Sequence, residues 1–125
     1  MLGNKNAVAN VAVKNLDTAK KFYEGTLGLT PVHTEDEEVI VYRSGETMLN
    51  VYRSQFAGTN QATAVTFPVG RDIDDIARQL QAKGVRFEHY DMPGMTHEGV
   101  LHVHGDMKVA WFKDPDGNIL NIINQ

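Results

Sequence analysis

The sequence contains no cysteine, which excludes disulfide bonds, thiolate zinc sites and a cysteine nucleophile. It has no excess of positive charge either, because its formal net charge is −4 and acidic and basic residues are interspersed. A basic face for nucleic acid or anionic lipid is therefore not expected. No run approaches the ~18 apolar residues of a membrane span, and the opening MLGNKNAVAN lacks the apolar core of a signal peptide. These absences predict a cytoplasmic protein with no nucleic-acid or membrane partner.

The length of 125 residues predicts one domain that covers the whole chain, 1–125. The apolar fraction of 42% and the charged fraction of 22% are ordinary for a globular protein. A chain of this size can bury a hydrophobic core that is stable without disulfide bonds or other cross-links.

The first half of the chain predicts a strand, a helix and three further strands. VANVAVKNL (8–16) alternates and is rich in valine, as in a half-buried strand. Asp17 is a candidate cap for the helix that follows, and Gly28 is expected to end it. Three strand-like runs come next, and they cover 29–34, 37–44 and 47–54.

The second half repeats this order after a predicted linker, QFAGTNQA (55–62). TAVTFPV (63–69) predicts a strand, and Asp72 is a candidate cap for a helix with apolar residues at i, i+3, i+4 and i+7. Strand-like runs follow at 85–90, 100–105 with 108–113, and 118–124. Module one therefore spans about 7–54 and module two about 63–125, with an insertion near 91–99.

This internal repeat predicts an α+β fold of two tandem βαβββ modules. One module is a small sheet with a helix on one face, so its other face must be buried or must enclose something. Two mixed sheets that curve towards each other would leave a cleft between them.

Three stretches make the chain similar to the vicinal oxygen chelate (VOC) superfamily of glyoxalases, bleomycin-resistance and fosfomycin-resistance proteins and extradiol dioxygenases. They are VKNLDTAKKFYEGTLGL (13–29), AVTFPV (64–69) and WFKDPDGNILNI (111–122). The resemblance covers about 8–124 and implies the curved two-module fold around a cleft. The DPDGN turn (114–118) is expected to be structural: proline presets one turn dihedral, glycine accepts positive φ and the acids accept hydrogen bonds from nearby amides.

The resemblance also places four metal-ligand positions on the open faces of the sheets, and this chain fills none of them with a usual ligand. The first pair maps to Val8 and Ala64, which have no donor atom, and the second pair maps to Asn50 and Asn121. A neutral amide is a weak ligand for a divalent ion compared with a carboxylate. No metal and no other cofactor is therefore expected.

Strand alternation predicts which side chains face the cleft. If Asn121 faces it, then Leu120 and Ile122 face the helix, as a core requires. The resulting set is apolar with a few uncharged polar groups, which suits a small organic ligand. The predicted ligand-binding residues are Asn10, Asn50, Tyr52, Trp111 and Asn121, with His102 and His104 at the rim. The asparagines are alternatively satisfied core amides that bridge the two sheets.

The histidines offer a second interpretation. His102 and His104 share a strand face at a spacing of two, and His97 is near in sequence. They could form a non-standard metal site, or one could act as a general base. DMPGMTHEG (91–99) interrupts the repeat just before them and is either a lid, with Met92 and Met95 as adaptable apolar contacts, or a surface connection.

Three functions stay open from the sequence. The first is a protein that binds or sequesters a small organic molecule without a metal. The second is an enzyme, either a metal-dependent lyase or dioxygenase with unusual ligands or a metal-free enzyme with a histidine base. The third is a structural dimer whose cleft is filled by its own side chains. A two-fold homodimer is expected, with modules paired within one chain or exchanged between two.

Overall fold

The computed structural model describes every residue from 1 to 125 and contains two compact units, Met1–Gly58 and Thr59–Gln125. Each unit has one mixed sheet and one principal helical segment, so the predicted α+β fold of two tandem modules is confirmed. No helix is both long enough and apolar enough to cross a membrane.

The first unit has the strand order β1-β4-β3-β2, in which β1 and β4 are parallel and the other pairs are antiparallel. Its elements are β1 (Ala9–Val13), α1 (Leu16–Lys20), a π-helical continuation (Lys21–Thr26), β2 (Thr30–Glu35), β3 (Val39–Ser44) and β4 (Thr47–Arg53). Alternation gives the sheet a buried face and an open face. The side chains of the buried face are Val11, Val13, Ile40, Tyr42, Leu49 and Val51.

Helix α1 begins at Leu16, and its cap lies two residues earlier than predicted. The prediction that Asp17 caps it is wrong, because the Asn15 side chain accepts the Thr18 N–H at 3.0 Å and Asp17 lies inside the first turn. Gly28, with φ of 77°, follows the helical segment as predicted. Tyr23 stacks on Tyr42 with ring centroids 6.1 Å apart, which joins the helix to the sheet.

Strand β3 starts at Val39, two residues later than predicted. Asp36 and Glu37 have positive φ values of 48° and 56°, and the Glu38 N–H donates to the Glu35 carbonyl at 2.9 Å. These features define a tight hairpin turn that asparagine and glycine usually occupy. Two acidic residues gave no signal for it in the sequence.

The second unit has the strand order β5-β10-β9-β8-β7, with β6 also paired to β9. Its elements are β5 (Thr63–Pro68), a 3-10 turn (Gly70–Asp72), α2 (Ile73–Ala82), β6 (Phe87–Glu88), β7 (Thr96–Glu98), β8 (Leu101–His104), β9 (Met107–Lys113) and β10 (Ile119–Ile123). Its helix-side core contains Ile73, Ala77, Leu80, Ala110, Phe112, Leu120 and Ile122.

Two predictions in this unit need correction. Asp72 precedes α2 but its side chain makes no capping hydrogen bond, because its φ of −80° and ψ of 6° belong to the 3-10 turn rather than to the extended backbone of a side-chain cap. The run 85–90 contributes only the two-residue strand β6, because the Tyr90 N–H leaves the ladder and donates to the His102 ring. Strand β7 lies inside the predicted insertion.

The DPDGN turn joins β9 to β10 and has the structural role predicted for it. The buried Asp114 carboxylate accepts the backbone N–H groups of Asp116 and Asn118, both at 2.9 Å, and the Asn118 side-chain amide at 2.8 Å. Gly117 has φ of 90°, which glycine adopts without strain. This turn fixes the register in which Asn121 lies opposite Trp111.

Candidate functional site

In the first unit, the structure brings the predicted site residues Asn10 and Asn50 together. They are register partners on β1 and β4, and the Asn50 amide donates to the Asn10 side-chain oxygen at 3.3 Å. Tyr52 lies on the same open face and is half-buried. The two amides of this face therefore satisfy part of their hydrogen-bonding capacity with each other.

In the second unit, Asn121 occupies the equivalent place on β10 but has a different environment. It lies between Thr66 on β5 and Trp111 on β9, and only 7% of the residue is exposed. Its Oδ1 atom is buried and has no hydrogen-bond partner. An unpaired buried carbonyl costs about 1–3 kcal/mol of stability. Such atoms are rare in folded proteins and often mark a functional position.

Trp111 shares the open face with Asn121, because directly paired residues of neighbouring strands lie on the same side of a sheet. Its neighbours Ala110 and Phe112 are fully buried on the helix side. The indole N–H donates to the Thr63 hydroxyl at 3.0 Å. The polar edge of the ring is thus occupied, and the orientation of the ring is fixed.

Aromatic and histidine rings surround Trp111 in a cluster that the sequence only partly indicated. Tyr90 and His102 stand nearly perpendicular to the indole, with centroids 5.5 Å and 4.9 Å away. His97 lies 4.6 Å from His102, and His89 lies 4.8 Å from His97. Tyr90 was missed because β6 ends before it, and no strand pattern indicated which way its side chain points.

The four histidines of this unit hold the segment 89–99 in place through its main chain. His102 accepts the Tyr90 N–H at its Nε2 atom at 2.9 Å, and His97 donates to the Tyr90 carbonyl at 3.3 Å. His104 donates to the Gly94 carbonyl at 2.7 Å, and His89 donates to the Gly99 carbonyl at 3.3 Å. The predicted rim residues His102 and His104 therefore bind different parts of one segment.

The same segment turns at Pro93-Gly94 between the two methionines. The Met95 N–H donates to the Met92 carbonyl at 3.1 Å, and Gly94 has φ of 80°. Proline followed by glycine with positive φ is typical of a type II turn. Both methionines are half-buried, so the segment covers part of the unit without being part of its core.

His102 is completely buried, and its environment disfavours the charged ring. Burial lowers its pKa first, and the neighbouring His97 and His89 lower it further, while backbone groups of Val109 and Tyr90 act in the opposite direction. Nδ1 has no partner in hydrogen-bond geometry. Because Nε2 accepts the Tyr90 N–H, the neutral ring carries its proton on Nδ1.

This lowered pKa predicts that the second unit loses stability in acid. The folded state binds the proton on His102 less readily than the unfolded chain, whose histidine has a pKa near 6.5. The stabilisation is therefore present above that value and is lost as the pH falls through the lower, folded-state pKa. We expect the urea concentration at the unfolding midpoint to decrease as the pH is lowered from 7.5 to 5.

A matched variant separates His102 from the other histidines. His102→Gln keeps an acceptor for the Tyr90 N–H but does not titrate, so its urea midpoint should be lower at pH 7.5 and depend less on pH. A variant whose midpoint falls as steeply as that of the parent chain would show that His102 is not the responsible group.

The four positions that the resemblance assigns to metal ligands lie on or next to strands of both units. Val8 precedes β1 and is 40% exposed, and Ala64 is exposed on β5. Asn50 and Asn121 lie on β4 and β10, the last strands of their units in chain order. The chain contains no group of three or more His, Cys, Asp or Glu residues arranged to hold a metal ion.

The comparisons with known proteins agree with this architecture. A bleomycin-binding protein crystallised with bleomycin is 20% identical to this chain and superposes with a TM-score of 0.71. The match covers 98% of this chain and 99% of the bleomycin-binding protein. Lactoylglutathione lyase from Agrobacterium tumefaciens is 16% identical with a TM-score of 0.71, and the match covers 96% of this chain and 92% of the lyase. The fosfomycin resistance protein FosX from Listeria monocytogenes is 13% identical with a TM-score of 0.68, and the match covers 100% of this chain and 93% of FosX.

These three likenesses establish the fold, and the sequence itself establishes the family. No curated protein matches the chain. The family model of the Glyoxalase/Bleomycin resistance protein/Dioxygenase superfamily matches residues 6–122, which is nearly the whole chain. The chain therefore belongs to the Glyoxalase/Bleomycin resistance protein/Dioxygenase superfamily.

Proposed function

We propose that this protein binds a small, uncharged organic molecule on the open face of the second unit's sheet, without a metal cofactor. The observation that carries the proposal is the buried, unpaired Oδ1 of Asn121. It occurs at a position where metal enzymes of the family are expected to have a carboxylate ligand. A buried polar atom without a partner gains a hydrogen bond when a donor group of a ligand reaches it.

The composition of this face supports an uncharged ligand. The side chains that surround Asn121 on this face are neutral, and they comprise Thr63, Thr66, Val109, Trp111, Ile119 and Ile123. Two charged groups on the neighbouring strands, Glu88 opposite Trp111 and Lys113 opposite Ile119, pair with each other at 3.3 Å. A charged ligand would lose its hydration here without gaining an opposite charge.

The residues present do not fit the metal that the family implies. Valine and alanine supply no ligand atom, and one amide oxygen on each of two separate sheets is a poor set for a divalent cation. The bleomycin-binding protein among the structural neighbours holds an organic molecule in the same fold. Binding or sequestration is consequently the function that the donor set favours.

The alternative of a metal-free enzyme with a histidine base finds no support at His102. The Nε2 lone pair already accepts the Tyr90 N–H, and Nδ1 carries the proton of the neutral ring. The ring is also fully buried. A general base must reach the proton that it removes, so His102 is better explained as an anchor for the segment 89–99.

Metal analysis tests the absence of a cofactor. Protein purified without a histidine tag should contain far less than one equivalent of zinc, nickel, manganese or iron, because the four mapped positions offer no adequate ligand set. A metal-to-protein ratio near one that is lost in His102→Ala or His104→Ala would contradict the proposal and favour the metal-dependent lyase or dioxygenase.

We also propose a two-fold homodimer in the cytoplasm. Apolar side chains remain exposed on or beside the open face of the first sheet, with Val8 at 40% and Met48 at 39% exposure, and a second copy of the chain could cover them. Light scattering at micromolar concentration should give twice the chain mass of 13.9 kDa. The mass of a single chain would refute the dimer.

A further inference from the structure

We infer that the ligand of this site presents a hydrogen-bond donor to Asn121, in the form of an N–H or O–H group on a flat, uncharged ring or planar amide. This inference rests on the binding function proposed above and names its ligand class. Three features of the second unit carry it: the acceptor, the rings beside it and the absence of an unpaired charge.

The acceptor sets the polarity of the contact. Oδ1 of a neutral asparagine only accepts hydrogen bonds, and it is the atom of Asn121 that is buried without a partner. A ligand carbonyl placed against it would repel it, and an apolar group would leave it unpaired. A ligand N–H or O–H group supplies what is missing.

The rings set the shape of the ligand. Trp111 lies directly opposite Asn121 in the ladder, so a molecule bonded to Asn121 lies against the indole. Tyr90 and His102 meet that indole edge-on, at interplanar angles of 74° and 87°, and the indole N–H is occupied by Thr63. A flat ring or amide packs on such a fixed aromatic surface with little loss of its own conformational entropy.

The charge of the donor follows from the surroundings. Glu88 is paired with Lys113, so no carboxylate stands ready to stabilise an ammonium group beside Asn121. The donor is therefore an amide, lactam, phenol or ring N–H rather than a cation. Because Oδ1 is closed to solvent in the free chain, the donor reaches it when the Asn121 amide rotates, which is a common side-chain change on binding.

Pairs of compounds that differ only by methylation of the donor test this inference. The probes are benzamide with N,N-dimethylbenzamide and phenol with anisole, titrated into ¹⁵N-labelled protein while the Trp111 indole and Asn121 amide resonances are followed. We expect the donor compound of each pair to bind at least about fivefold more tightly than its methylated partner. That ratio should fall to near one in Asn121→Leu and stay unchanged in Asn60→Leu, a control at an exposed loop asparagine.

The outcomes separate the two proposals. If both compounds of each pair shift these resonances with equal affinity, or if Asn121→Leu keeps the ratio, the donor requirement is wrong while the binding function stands. If no compound shifts any resonance of this face, the proposed binding function fails and the ligand class fails with it.

Discussion

Replacing Asp114 with alanine should lower the free energy of unfolding by about 3 kcal/mol or more. The carboxylate accepts three hydrogen bonds at 2.8–2.9 Å inside the DPDGN turn, and only 5% of the residue is exposed. Hydrogen bonds to charged groups contribute about 1.5–3 kcal/mol each, and their loss leaves buried donors unpaired. Urea unfolding followed by the fluorescence of Trp111, the single tryptophan, measures the change.

Asp91→Ala is the control for that substitution. Asp91 is an exposed carboxylate in the segment 89–99, so its removal should lower the free energy of unfolding by less than about 1 kcal/mol. Equal losses in the two variants would mean that the turn does not depend on the Asp114 carboxylate. The turn matters for function because it sets the β9–β10 register that places Asn121 opposite Trp111.

Replacing Asn121 with leucine should have the opposite effect and raise stability by about 1 kcal/mol. Leucine has the same branching but no polar atoms, so the cost of the buried, unpaired Oδ1 disappears. A residue whose removal stabilises the fold while it weakens binding has been retained for function rather than for folding. The measurement is the urea midpoint of Asn121→Leu against the parent chain.

Asn124, three residues further along, supplies the contrast. Its side chain accepts the Lys108 N–H at 2.9 Å and donates to the Asp106 carbonyl at 2.8 Å. Asn124→Leu should therefore lose about 2 kcal/mol, because two satisfied hydrogen bonds are removed. If Asn121→Leu is destabilised to the same extent, then Asn121 is a structural amide like Asn124, and the proposed contact with a ligand is wrong.

The sequence predicted the architecture because the repeat and the strand alternation are both strong periodic signals. The closing run 118–124 placed Leu120 and Ile122 in the core and Asn121 on the opposite face, and the structure agrees. The DPDGN turn was equally predictable from the sequence, because proline, glycine and the acidic residues each have a defined place in a tight turn. Short-range rules of this kind depend on neighbouring residues and little else.

The details that were missed depend on contacts between residues far apart in sequence. The end of β6 is set by a hydrogen bond from Tyr90 to His102, twelve residues later. The paired amides of Asn10 and Asn50 are forty residues apart. Nothing in the local sequence distinguishes Asn50, which has such a partner, from Asn121, which has an unpaired oxygen, although both lie in similar apolar strands.

The central claim is that the second unit binds an uncharged organic molecule beside Trp111 and Asn121 without a metal. The most direct measurement is a titration of EDTA-dialysed, ¹⁵N-labelled protein with benzamide and with N,N-dimethylbenzamide. We predict a saturable shift of the Trp111 indole and Asn121 side-chain resonances with at least one of the two, unchanged when zinc or manganese is added. No shift at these resonances, or a shift that requires the metal, would contradict the claim.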